Sequence, residues 1–145
     1  MKIILVYVFL LIIPIFNSCS NQTREIGKIY SRTAANQKFG KIIKTYTFDN
    51  NRLDSLLTKT GKYVGFSVGY KNFIISGQNR TSVYPMVKEI SKTEPLRIYS
   101  TDMVKKLITI GQESSTMVEY RDDVITLTNG NYTLEESILC PPICP

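Results

Sequence analysis

Lys62–Ser76, KYVGFSVGYKNFIIS, carries the pattern that decides the fold. From Lys62 to Tyr70 the residues alternate. Val64, Phe66, Val68 and Tyr70 fall on one face, and Gly65, Ser67 and Gly69 on the other. A period of two marks a strand, because successive side chains leave opposite faces of the pleat. The second face carries so little side chain that another element is expected to pack closely against it. Asn72 to Ser76 pairs back as a hairpin partner across Tyr70-Lys71.

Upstream, Lys41 to Phe48 is rich in Ile, Thr, Tyr and Phe and reads as a strand. Asp49-Asn50-Asn51 then supplies capping chemistry. Leu53, Leu56 and Leu57 follow at helical spacing, giving a short amphipathic helix over Asn51–Thr60 that Gly61 can stop. Ser31 to Phe39 suits a short helix with Gly40 just past its end. The rest of Ser20 to Lys41 is polar, and its first part reads as a tether.

Downstream, Gly77 to Ser82 is a polar loop. Tyr84 to Lys92 fits either a helix opened by Pro85 or an edge strand. Leu96 to Tyr99 is a strand. Ser100 or Thr101 caps a helix bearing Met103, Val104, Leu107 and Ile108, which Gly111 ends. Thr116 to Arg121 and Val124 to Thr128 flank Asp122-Asp123, and Asn129-Gly130 turns the chain into Tyr132 to Leu139. Hairpins mixed with two or three short helices give an α+β class, a mostly antiparallel sheet in a single small domain. The expected division is a signal segment at 1–18, a modified cysteine with tether and short helix at 19–40, and the α+β domain at 41–145.

The chain has 145 residues, 43% of them apolar and 21% charged, a globular composition. It carries 18 Lys and Arg against 12 Asp and Glu. That balance favours an acidic protein, an acidic envelope polymer or phosphate-bearing lipid as partner, but the charge is spread along the chain with no run of five or more basic residues, which reads first as a solvated surface. Nucleic acid is not expected, for want of any motif and because the chain reads as exported. Histidine is absent, which removes much of the usual general-base and zinc chemistry. No cofactor and no metal are expected.

Lys2 precedes an uncharged apolar run from Ile3 to Phe16, of signal-peptide length and interrupted by Pro14. A spanning helix needs about 20 apolar residues. The run ends in Phe16-Asn17-Ser18-Cys19-Ser20. Ser18-Cys19 resembles the lipobox of bacterial prolipoproteins, in the looser form of the Bacteroidetes type. Phe16 and Asn17 depart from the usual Leu and small residue. The resemblance covers residues 1–19 and implies that the Cys19 sulfur receives a diacylglycerol, with membrane anchoring through lipid. The competing reading is ordinary cleavage after Ser20.

Gly65-Phe66-Ser67-Val68-Gly69 matches G-x-S-x-G, the nucleophile elbow of α/β-hydrolases. The elbow needs a strand, a strained turn and a helix, together with a histidine base. Here Ser67 lies inside an alternating strand and the chain has no histidine, so Ser67 is expected to be structural. Cys140-Pro141-Pro142-Ile143-Cys144 leaves a disulfide open. An extended path would hold the two Cα atoms about 12 Å apart, whereas a disulfide wants them within about 7 Å. Closure requires a tight turn, with a cis bond before Pro142 as one route. Both cysteines are expected at the chain end, outside the core. Asp122-Asp123 and Glu135-Glu136 read as turn chemistry and solvated surface.

The leading expectation is a non-catalytic, lipid-anchored envelope protein that binds a protein or an acidic envelope component. The alternatives are a small envelope hydrolase without histidine and an immunity or inhibitor lipoprotein. A cleft gathering several of Asp49, Asp54, Glu89, Glu94 and Glu119 would favour the hydrolase.

Overall fold

The computed structural model describes residues 24–69, 73–86, 90–141 and 143–145. The signal segment 1–18, Cys19, the hairpin turn at Tyr70-Lys71, Glu89 and Pro142 lie outside the described residues. In chain order the strands are β1 (Lys28–Ser31), β2 (Ile42–Asp49), β3 (Tyr63–Val68), β4 (Phe73–Ser76), β5 (Ser82–Tyr84), β6 (Leu96–Ser100), β7 (Ser115–Arg121), β8 (Val124–Asn129), β9 (Tyr132–Glu135) and β10 (Ile138–Cys140). The helices are α1 (Arg32–Phe39), α2 (Asn50–Leu57) and α3 (Thr101–Gly111). These elements make an α+β domain.

Among the described residues the strands form two five-stranded antiparallel sheets. One has the order β1-β9-β8-β7-β2 and the other β10-β6-β3-β4-β5. The hairpin read from Lys62–Ser76 is present, with Val68 opposite Phe73 and Gly65 opposite Ser76. In the first sheet Ile29, Leu134, Leu127 and Val118 stand in one cross-strand row. In the second, Val64 and Phe66 share a face with Tyr99 and Ile75. These faces, with Leu53 and Leu57 from α2 and Met103, Val104 and Leu107 from α3, make the main core. Apolar residues at helical spacing meet apolar residues at strand spacing there, and each pattern is explained by the other.

Several elements depart from expectation for local reasons. α2 starts at Asn50 because the Asp49 carboxylate accepts from the backbone N–H groups of Asn51 and Arg52, at 3.0 and 3.2 Å. It ends at Leu57, and the chain continues to Gly61 in turns. The segment Tyr84–Lys92 takes neither expected form among its described residues: a short strand, Ser82–Tyr84, ends where that segment begins, and the Tyr84–Pro85 bond that follows is cis. Tyr132 to Leu139 is not one strand. Glu136 adopts a φ of 70°, and the chain passes there from the first sheet into the second. Lys28–Ser31, without a strand pattern of its own, pairs with β9, so the residues before 41 contribute an edge strand and α1 to the fold. Ser100 does not cap α3 through its side chain. Its hydroxyl accepts from the Ile26 N–H at 2.7 Å, and its N–H donates to the Ile26 carbonyl at 2.9 Å.

A second, smaller cluster lies on the outer face of the second sheet. Ile26, Leu96, Ile98 and Cys140 are buried together there, with Tyr63 and Ile138 packed alongside. Among the described residues no helix is long and apolar enough to cross a membrane.

Candidate functional site

The small face of β3 decides where a cavity can form. A Cβ at Gly65 would collide with Ser76 Oγ and lie 3.0 Å from Ile98 Cδ1. Only glycine lets those neighbours close over the strand. Above Gly65 lies a cavity of about 180 Å³. Its floor is Gly65, Leu96 and Ile98, its walls include Tyr63 and the Cys140–Cys144 pair, and its rim carries Gln78, Asn79 and Arg80.

The rim is a single 3₁₀ turn, Gln78–Arg80, in which Asn79 and Arg80 take φ values of 59° and 60°. Asparagine tolerates the left-handed region and arginine rarely enters it, so this backbone is held by tertiary contacts. The Arg80 guanidinium supplies them. It donates to the carbonyls of Ser91, at 2.6 Å, and Glu94, and reaches Cys140 Sγ at 3.4 Å. Its Nε is buried and has no protein partner.

Cys140 and Cys144 are bonded, with Cα atoms 4.9 Å apart. The chain therefore makes the tight turn that closure requires. The cis bond described is Cys140–Pro141 rather than the one before Pro142. The expectation that both cysteines sit outside the core needs correction for Cys140. As the last residue of β10 it pairs with Leu96 and is only 2% exposed.

Ser67 lies in β3, paired with Ile74 of β4, and is 3% exposed. Its hydroxyl donates to Glu94 Oε1 at 2.5 Å. No strand–turn–helix elbow forms around it, since Val68 continues the ladder. Of the carboxylates that a hydrolytic cleft would gather, Asp49, Glu94 and Glu119 are engaged separately. Asp49 caps α2, Glu94 is beside Ser67, and Glu119 is buried on the outer face of the first sheet. Among the described residues no three thiol or carboxylate groups converge as a metal site would require.

That outer face holds a polar network with no counterpart in the sequence reading. Glu119 Oε2 accepts from Arg121 at 2.6 Å, Thr126 at 3.1 Å and Thr128 at 3.0 Å. Arg121 also donates to Asn36 and to the Gly40 carbonyl, which ties α1 down over the sheet. The spacing of two along β7 puts both charges on one face, and that signal was available in the sequence. Arg80 had no comparable signal, because its partners are carbonyls brought from Ser91 and Glu94 by the fold. Glu135 also departs from the solvated reading. It is 5% exposed, and its carboxylate accepts from the Ser137 hydroxyl at 3.0 Å. Glu136 is on the surface, bonded to Tyr30 and Lys38.

Fold and site together define a small two-sheet α+β domain with a guanidinium-rimmed cavity on one outer face. No protein-family model, curated protein or solved structure matches the chain.

Proposed function

We propose that this protein is an exported, lipid-anchored and non-catalytic binding domain of the bacterial cell envelope, whose partner is an acidic protein or polymer. The observation that carries the reading is the cavity over Gly65, with an apolar floor and Arg80, Gln78 and Asn79 at its rim. This is recognition chemistry: a shape to fill, amides to orient, a cation to favour acids. At about 180 Å³ the cavity is smaller than typical small-molecule pockets of roughly 300–1,000 Å³. It suits one protruding group of a larger partner. The excess of basic over acidic residues favours the same class of partner.

The test is titration of the purified full chain with poly-L-glutamate at rising ionic strength. The reading expects saturable binding that weakens with salt and with Gln78→Ala combined with Asn79→Gly, two exposed positions on the rim. Binding that ignores both would overturn it. The Ser67–Glu94 hydrogen bond favours a second reading, a histidine-free hydrolase in which Glu94 draws the hydroxyl proton. Covalent labelling of Ser67 by a fluorophosphonate, lost in Ser67→Ala, would establish that alternative.

A further inference from the structure

We infer that the C-terminal disulfide loop is a second membrane contact, with Ile143 and Leu139 set into the bilayer beside the lipid anchor. This rests on the reading that Cys19 carries lipid. The argument starts from the length of the tether. Ile26 is 3% exposed and is fixed to Ser100 by two backbone-linked hydrogen bonds. The seven residues from Cys19 to Ile26 reach at most about 25 Å even when fully extended. A domain of this size is about 35 Å across. A tether shorter than the domain selects which end of it meets the bilayer.

That end is the one where Ile26 meets β10. Ile26 packs with Cys140 in the smaller buried cluster. Arg24 and Ile26 also share a cleft with Ile138 on β10. Ile143 follows Cys140 by three residues, and the disulfide ties the next residue, Cys144, to Cys140 at the end of β10. Ile143 is 64% exposed and Leu139 is 39% exposed. Both are large apolar side chains close to Cys140 in sequence, Leu139 on the opposite face of β10 from Cys140. Exposed Arg24 and Lys28 lie either side of Ile26 in sequence, with the exposed Glu25 between them and Glu136 across the cleft. Apolar side chains beside basic ones match the acyl and headgroup layers of an anionic bilayer.

The chain has no tryptophan, so a single introduced indole reports its own surroundings. Ile143→Trp is the probe and Met86→Trp the control. Met86 is 85% exposed and follows β5, at the edge of the second sheet opposite β10. Each full-length variant is reconstituted into phosphatidylethanolamine–phosphatidylglycerol vesicles, with and without brominated acyl chains, and the mass of the N-terminal peptide is measured. The proposal expects an acylated Cys19, blue-shifted and bromine-quenched emission for Ile143→Trp, and neither effect for Met86→Trp. An acylated Cys19 with unquenched Ile143→Trp, or with equal quenching in both variants, overturns the proposal alone. An unacylated N-terminus overturns the anchoring reading and the proposal with it.

Discussion

Glu119 and Arg121, two residues apart on β7, bond at 2.6 Å with both side chains fully withdrawn from solvent. Removing one member of such a pair leaves a buried charge uncompensated, at a cost of about 3–5 kcal/mol. Arg121→Ala should therefore destabilise the domain severely. Glu119→Leu combined with Arg121→Met should cost less than either single change, because no charge is left behind. Denaturant unfolding of the three variants checks this. Additive losses in the double variant would contradict it.

Asn129 should be nearly as sensitive. Its side chain accepts from the Glu113 N–H at 3.1 Å and donates to the Ser115 carbonyl at 3.0 Å and to Thr116 Oγ1 at 3.0 Å. It is fully buried and joins the end of α3 to β7. Each buried group left unpaired costs roughly 1–3 kcal/mol, so Asn129→Ala should lower the melting temperature well beyond the effect of a surface change. A thermal melt within a degree of wild type would show that water replaces these bonds without loss.

The surface trio of Tyr30, Lys38 and Glu136 predicts a pH signature. The Tyr30 hydroxyl, followed by Lys38, holds the Glu136 carboxyl below its usual 4.5. Its bond to Tyr30 likewise raises Lys38 above 10.5. A lowered carboxyl contributes stability that is present above 4.5 and lost as pH falls through the folded-state value. A raised amine contributes stability present below 10.5 and lost as pH rises through its folded-state value. Tyr30→Phe should move the Glu136 titration upward, toward its usual value, in a carboxylate NMR titration. An unchanged midpoint would contradict the assignment.

The C-terminal tail divides at Cys140. Cys144→Ser opens a five-residue loop, and loop-closure entropy for so short a ring gives about 2 kcal/mol at most. It should lower the melting temperature by a few degrees. Deletion of residues 140–145 should cost more, because it removes the last rung of β10 and a member of the smaller buried cluster. Equal melts for the two variants would show that Cys140 contributes only its bond.

The parts of the fold legible in sequence are those with a local period. The alternation around Phe66, the leucines of α2 and the apolar face of α3 each name their own conformation. β1 was not legible, because Ile29 and Tyr30 become a strand only through β9. The break at Glu136 was hidden for a related reason: residues 132–139 alternate acceptably as one strand, and only two competing sheet edges divide them. Asn129 reads as a turn residue from its Asn-Gly dipeptide, yet the fold uses its amide as a buried junction. The candidate cavity was half visible. Gly65 announced a close approach, made by Ser76 and Ile98 of the neighbouring strands, but the turn and tail that wall the cavity above it are distant in sequence.

The pairing of the chain's two ends constrains when the fold can form. Tyr30 and Glu136, 106 positions apart, meet across the surface trio beside the β1–β9 ladder. Ile26 finds its buried neighbours only when Leu96, Ile98 and Cys140 are all in place. Emerging from a ribosome amino-terminus first, the chain cannot close the β1 edge of its first sheet before β9, or its smaller core before Cys140, is free. Contacts of such separation also slow folding. Vectorial synthesis thus leaves a long interval in which the polypeptide is complete in its early strands and still threadable as an open chain.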